Sequence, residues 1–365
     1  MKMKIGIDIS PIIYESGVSW YTWHLVKNLL RVDKSNEYLL FGGSLRRTND
    51  LLDKIQKLRG KFKISFYPIP PTVADFLWNK LHLLNIESVV GSLDVFHSSD
   101  WSQPPSNAFK VTTIHDLSPI TYPGLTDEKV IKNTQRRLKW IVKEVDRIIV
   151  PSQSTKRDLL HYGVKEAKVK VISEASNVDG PASQVKVDSF KRKYAIVGEY
   201  LLGVGVSPRK NTKRLIAAYR KVLNILLPKK KINMVFVGEK WLEISDTHNI
   251  IFTGHISNEE LQAAYSGAKV LVYASICEGF GIPILDAYAC GCPVVTSNIS
   301  SMPEVASGAA VLVNPFDVDS IAKGLLKAMQ NSEDLVKRGR SVNKRFSWEE
   351  VARQTLDVYN EAHEL

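Results

Sequence analysis

A chain of 365 residues with 44% hydrophobic content can bury two cores of ordinary domain size. No apolar stretch is long enough to span a bilayer, and the run in the opening MKMKIGIDIS is too short for a signal peptide. The excess of 49 Lys and Arg over 38 Asp and Glu, a formal charge of +11, favours an anionic partner: nucleic acid, a phosphorylated substrate or an acidic membrane surface.

Nucleic acid ranks last of these, because no zinc-finger or recognition-helix pattern accompanies the charge. The three cysteines, Cys277, Cys290 and Cys292, are odd in number and follow no secretory signal, so reduced thiols in the cytosol are expected. They find no nearby histidine or cysteine partners to complete four metal ligands.

Along the first half, short apolar strands alternate with helical patterns. The strands are expected at Ile5–Ile9, Tyr38–Phe41, Ile64–Ile69, Val95–Ser98, Val111–His115, Ile148–Ser152 and Val169–Ile172. Their unbroken apolar character predicts a parallel sheet covered on both faces by the intervening helices. Gly17 follows the first strand and precedes the helical run SWYTWHLVKNLL. His115, in TTIHDLSPITYPG, stands at a strand end, which is the ligand-facing edge of an open α/β sheet. Asp116 is expected to cap the turn that follows.

Two stretches have the makings of a lipid-facing surface. In PPTVADFLWNKLHLLNI, Phe76, Trp78, Leu81 and Leu84 would form one amphipathic stripe. Between Lys129 and Arg147, KVIKNTQRRLKWIVKEVDR sets several cations around Trp140. The competing reading puts the apolar faces into the core and the basic faces into water.

The polar, turn-rich run Asn177–Lys186 is the predicted boundary between domains at 1–180 and 187–347, with helix 348–365 packing back on the first. The second half opens on YLLGVGVSPRKNTKRLIAAY. Gly203 and Gly205 could begin a dinucleotide fingerprint, but Pro208 stands where its third glycine belongs, and no acidic partner follows at the expected spacing. Further on, Ser257 and Glu260 form a capping box, and Asp317 caps an alanine- and leucine-rich helix.

The most informative stretch is EGFGIPILDAYACGCPVVTSN, Glu278 to Asn298, after the β-rich run KVLVYAS. Gly279 and Gly281 permit a tight backbone path at a strand end, and Pro283 suits the start of a helix that Gly291 stops. Amides and the positive end of the helix dipole then converge on a site for an anion. Eight helical steps between Glu278 and Asp286 cover about 12 Å at roughly 1.5 Å each. That exceeds the about 5–9.5 Å between the carboxyl pair of a glycosidase. It suits a long ligand with hydroxyls at both ends and a diphosphate between them, such as a nucleotide-sugar.

The stretch EGFGIPILDAYACGCPVVTSNISSMPEVASGAAVLV resembles the donor-site signature of the retaining glycosyltransferases of family 4, which have the GT-B fold. That family has Glu, seven residues, Glu; here Asp286 holds the second place, with a reach shorter by about 1.5 Å. The resemblance implies two Rossmann-like α/β domains facing each other across a cleft, with the donor held mainly by the second. It implies that Glu278 orients the sugar and that Asp286 binds the ribose. Arg209 and Lys210, in SPRKN, would neutralise the leaving diphosphate without a metal or other cofactor. The amides of Gly279, Phe280, Gly281 and Ile282 would assist them. Gly17 matches the glycine loop beside the donor phosphate, His115 the histidine that contacts the transferred sugar, and Gly254, His255 and Ile256 the turn beside the nucleobase. The implied partners are a UDP- or GDP-sugar donor and a glycan or lipid-linked acceptor of cell-surface polysaccharide synthesis. The implied location is the cytoplasm, peripheral on the inner face of the membrane. A GT-B phosphorylase or epimerase, and a non-catalytic nucleotide-sugar or anionic-surface binder, are the alternatives carried forward.

Overall fold

The computed structural model describes residues 2–364 apart from 15, 44–46, 68, 227–231, 241 and 246. The chain forms two compact units, Met1–Glu174 with Ser347–Leu365, and Ala175–Phe346.

The first unit is built on strands β1 (Lys4–Asp8), β2 (Glu37–Gly43), β3 (Phe62–Tyr67), β4 (Val95–Ser98), β5 (Phe109–Thr113), β6 (Arg147–Val150) and β7 (Val169–Val171). All pair in parallel, in the order β3-β2-β1-β4-β5-β6-β7. Chain direction across the sheet reverses between β1 and β4, so a crevice opens beyond their carboxyl ends. Each strand predicted from sequence is present and displaced by two residues at most, position 68 lying outside the described residues. His115 therefore sits two residues past the end of β5. Helix α1 (Gly17–Val32) follows β1, and α2 (Glu128–Glu144) leads into β6. Asp127 caps α2 by accepting the amide of Lys129, and Asp116 accepts the amide and hydroxyl of Ser118, as a turn cap should.

The second unit starts at Ala175, a little upstream of the predicted boundary, because Ser176 and Asn177 are hydrogen-bonded within it. Its helix α3 (Gln184–Lys193) begins inside the polar run Asn177–Lys186. Strands β8 (Glu199–Val206), β9 (Ile232–Lys240), β10 (Ile250–Phe252), β11 (Val270–Tyr273), β12 (Val294–Ser297) and β13 (Val311–Val313) form a second parallel sheet, ordered β10-β9-β8-β11-β12-β13. Here the direction reverses between β8 and β11. Helices α4 (Thr212–Leu226), α5 (Asn258–Gly267) and α6 (Ile282–Ala289) cover it. The caps read from sequence are present: Ser257 and Glu260 satisfy each other's backbone, and Asp317 accepts the amide of Asp319. Pro283 is the second helical residue rather than the first, since Gly281 serves as the cap.

The glycine pair that suggested a dinucleotide fingerprint has packing roles instead. A Cβ on Gly203 would lie 2.5 Å from the Phe236 ring. Gly205 has φ +84°, at an irregularity in β8, and a Cβ there would lie 2.8 Å from Cγ of Lys210.

The stripe predicted over residues 70–86 is not one helix. Pro71–Ala74 is helical, Asp75–Lys80 is a π turn closed by the Leu81 amide on the Phe76 carbonyl, and His82 and Leu84 have positive φ. The wider turn changes which side chains share a face. Trp78 enters the core beside Phe41 and Phe96, while Phe76, Leu81, Leu83 and Leu84 are exposed.

Helix α7 (Trp348–Asn360) returns to the first unit and packs on α1. Trp348 stacks on His24 at 4.8 Å and meets Tyr21 at 5.9 Å. Tyr359 bonds Nδ1 of His97 at 2.6 Å, and Nε2 of the same ring lies 2.9 Å from Oγ1 of Thr113. Burial, with a smaller contribution from nearby His115, lowers the His97 pKa to about 3, so the ring is neutral. Tyr359→Phe would leave a buried ring nitrogen without its partner. We expect about 1–3 kcal/mol of lost stability by urea denaturation, with the same m-value as wild type.

Candidate active site

In the second unit, the order of strands brings two loops together. Arg209 and Lys210 follow β8, and Glu278 follows β11, its neighbour at the reversal point. The Glu278 carboxylate is 8% exposed. Its Oε1 accepts Nζ of Lys210 at 2.7 Å and its Oε2 accepts an Nη of Arg209 at 2.7 Å. Burial acts to raise its pKa, but the charges of Arg209 and Lys210 outweigh that and hold it at about 2. The three side chains together carry a single positive charge.

Each cation is held by more than Glu278. Arg209 also donates to the Cys277 carbonyl at 3.0 Å. Lys210 donates to the Tyr273 hydroxyl at 2.6 Å, and its ammonium lies 4.6 Å from the centre of that ring. Tyr273 gave no motif signal, since it reads as one more apolar strand residue.

The turn after Glu278 is latched by Ser300 and Ser301, which lie inside the signature stretch but were given no role from sequence. Ser300 donates to the Glu278 carbonyl and accepts the Glu278 amide, while Ser301 donates to the carbonyls of Glu278 and Phe280. Ser300 does so in a left-handed conformation, φ +60°, a strain of about 1–3 kcal/mol that the surrounding bonds sustain. Gly281 has φ +119°, which only glycine adopts easily, and it opens α6. Phe280, Gly281 and Ile282 stand at the helix start, where amides lack intrahelical acceptors. The ring of Phe280 is buried in the core.

Asp286 lies one turn inside α6 and is 3% exposed. Its Oδ1 accepts both the Ser176 hydroxyl and the Asn177 amide at 2.8 Å. Its Oδ2 accepts nothing from the described residues. Burial lifts its pKa to about 7 against the lowering effect of those two donors.

Beside β9, Gly254 bridges to Gly238 and has φ +69°, with open space where a Cβ would stand. His255 is exposed, whereas the Ile256 side chain belongs to the core, so only its backbone is available at that turn.

The remaining predicted residues belong to the first unit. Gly17 is the first residue of α1, where Ser16 and Ser19 form a capping box, and a Cβ there would meet nothing within 4 Å. The fold itself thus makes no steric demand for glycine at position 17. His115 directs Nδ1 to Oε1 of buried Glu174 at 2.8 Å, and the Tyr21 ring stands edge-on to it at 4.6 Å. Glu174 carried no motif that would have singled it out.

Among the described residues, no group of three or more His, Cys, Asp or Glu is placed to hold a metal ion. The cysteines form no disulfide among the described residues and are buried; burial pushes Cys290 up to about 12 and Cys292 higher, which suits packing better than thiolate chemistry.

The comparisons with known proteins bear on the family and the fold. The family model for glycosyl transferases group 1 matches residues 198–345, and that for glycosyltransferase family 4 matches residues 16–179. The O-antigen chain mannosyltransferase B of Escherichia coli is 26% identical, over 98% of this chain and 99% of its own. The O-antigen chain mannosyltransferase RfbU of Salmonella typhimurium is 29% identical over 66% of each chain. The Anabaena protein HepE, solved in complex with UDP and glucose, superposes with a TM-score of 0.71 over 98% of this chain and all of its own, at 15% identity.

The Asp286 geometry makes stability depend on pH in a stated direction. Its folded pKa, about 7, lies above the ordinary value of 3.8, so the folded state holds the proton more tightly. That contribution is complete below the ordinary value and is lost as pH rises through about 7. Asp286→Asn keeps an acceptor for Ser176 and Asn177 but cannot ionise. Its stability relative to wild type should be greater at pH 8 than at pH 5, by about 1–4 kcal/mol in urea denaturation. An equal difference at both values would mean that Asp286 is not desolvated.

Proposed function

Since the chain belongs to glycosyltransferase family 4 and has the GT-B fold, we propose that it transfers mannose from a nucleotide-sugar to a growing cell-surface polysaccharide or a lipid-linked glycan, with retention of anomeric configuration. The observation that carries this is the pairing of Arg209 and Lys210 on one buried carboxylate, beside the start of α6. The names of the O-antigen relatives support the sugar and the kind of acceptor.

In this reading the diphosphate of a UDP- or GDP-sugar takes up Arg209 and Lys210, assisted by the amides of residues 279–282. Glu278, held ionised, accepts hydroxyls of the sugar. The open Oδ2 of Asp286 accepts hydroxyls of the ribose. The turn at Gly254, His255 and Ile256 lies along the base, Gly17 approaches the phosphate, and His115 meets a sugar hydroxyl. The reaction is a front-face displacement. The bond from the anomeric carbon to the phosphate oxygen breaks, the acceptor oxygen bonds to that carbon on the same face, and the departing phosphate takes the acceptor proton. No side chain is required as a base, and the two cations stabilise the leaving charge. Glu278 is therefore a binding and orienting group, not a nucleophile.

A metal is not needed in this scheme, because the cations already match the diphosphate. Thermal shift against UDP-, GDP- and ADP-sugars identifies the donor, and binding should survive EDTA. Lys210→Ala should weaken it by about ten- to a hundredfold, the effect of a lost charge-assisted bond. Loss of transfer on chelation, restored by manganese, would overturn the metal-free scheme. Donor hydrolysis or epimerisation without acceptor, or dependence on inorganic phosphate, would favour the epimerase or phosphorylase alternative.

A membrane-borne acceptor is favoured by one further arrangement in the first unit. Exposed Phe76, Leu81, Leu83 and Leu84 adjoin α2, whose Lys129, Lys132, Lys139 and Lys143 are exposed. The two segments are fastened together: Trp140 donates to the Asn79 carbonyl at 2.8 Å and stacks on His82 at 3.7 Å, and Arg136 lies 3.4 Å from Asp75. Apolar side chains beside a row of cations fit the interface of an anionic bilayer. No described helix is long and apolar enough to cross a membrane, so this contact would be peripheral. Binding to vesicles containing anionic phospholipid should weaken as salt rises, and Leu83→Asp with Leu84→Asp should reduce it at low salt. Equal recovery on neutral and anionic vesicles would leave the cations as an ordinary solvated face.

A further inference from the structure

The first unit contains a buried carboxylate that the scheme above does not use. Glu174, 4% exposed, directs Oε1 to Nδ1 of His115 at 2.8 Å. We propose that Glu174 is a positioning residue for the transfer reaction, fixing a proton of His115 on Nδ1 so that Nε2 is the nitrogen offered to the sugar, as a donor when the ring carries its second proton. The inference rests on the reading of His115 as a contact to the transferred sugar.

Three observations support it. First, the ring has little freedom. The Tyr21 ring stands edge-on at 4.6 Å and 81°, and Tyr21 is itself tethered through its hydroxyl to Thr113 at 3.1 Å. The His115 carbonyl accepts the Thr155 hydroxyl at 3.4 Å, which holds the backbone as well. Second, an imidazole has two nitrogens, and a carboxylate on one decides what the other can do. With Nδ1–H on Glu174, Nε2 is an acceptor when the ring is neutral and a donor when it is charged. Third, the surroundings favour charge. Burial alone would lower the His115 pKa, but the Glu174 bond and charge, with Asp100 and Asp116, raise it above the ordinary value. Asp100 is paired with Arg137, and the neutral His97 lies on the adjacent strand. Tyr21, buried, does not ionise in the working range.

The test separates a positioning role from a purely structural tie. Glu174→Gln keeps an oxygen that can accept from Nδ1 but removes the charge, so the fold is retained while the His115 pKa falls. The profile of kcat/KM against pH should lose activity on the alkaline side, where His115 discharges. In Glu174→Gln this limb should move to lower pH by about one unit or more, the usual effect of removing an adjacent opposite charge. The His115 ring resonances, followed by NMR, should move with it. Glu174→Asp, which keeps the charge, should retain the limb nearer its wild-type position even where kcat is reduced. Affinity for free nucleoside diphosphate should be unchanged throughout. If the limb and the His115 titration stay in place in Glu174→Gln, the positioning role is wrong and Glu174 is a structural tie. If His115→Gln transfers sugar as well as wild type does, the reading of His115 itself fails, which is a separate result.

Discussion

Glu278 sits between a guanidinium and an ammonium, and the placing of the two loops that carry them depends on that contact. Burying this carboxylate without partners would cost several kcal/mol, and the two half-buried cations offset that. Together they hold one another in fixed positions at the edge of the sheet. The neighbouring parts serve this trio. Tyr273 supports Lys210 from below the loop, Gly205 leaves room for its stem, and Ser300 and Ser301 fasten the turn that carries Glu278. The cations are thereby held by the protein's own groups, and in the proposed scheme that limits the reorganisation needed when a diphosphate binds.

Topology explains why residues so far apart in sequence meet. In each unit the winding of a parallel sheet reverses once, between β1 and β4 in the first and between β8 and β11 in the second. Loops on either side of a reversal diverge, and a crevice remains beyond the strand ends. Arg209, Lys210 and Glu278 occupy the loops flanking the second reversal. Asp8 and Ser99, flanking the first, bond across it at 2.5 Å. Short strands with few polar residues leave little other room for polar chemistry, so it collects there.

Much of this was legible in the sequence, for definite reasons. Unbroken apolar runs in a doubly covered sheet give a strong signal, and every strand of the first sheet was found from it. The Glu278–Asp286 stretch was legible because glycine, proline and carboxylate at fixed intervals have few other uses. Side chains whose roles depend on three-dimensional neighbours were not. Tyr273 looks like any strand aromatic, and Glu174 like any loop carboxylate. The segment at 71–84 misled, because a π turn and two left-handed residues break the helical period that a stripe assumes. At Asp286, the family resemblance implied a ribose-binding carboxylate but gave no sign that one of its oxygens is already occupied by Ser176 and Asn177.

The order of the chain differs from the order of its units: the second is inserted within the first, which closes only with the segment after Phe346. On the ribosome, the second unit would emerge whole while the first still lacked α7. Until that helix arrives, His97 has no Tyr359, Tyr21 has no Trp348, and Arg147 and Lys170 have no Glu361. Tyr21 is the ring that braces His115. A product that stops short of α7 would thus possess Arg209, Lys210 and Glu278 and yet lack part of the packing behind His115. Completion of the chain is what finishes the first unit, after every residue of the second has already been made.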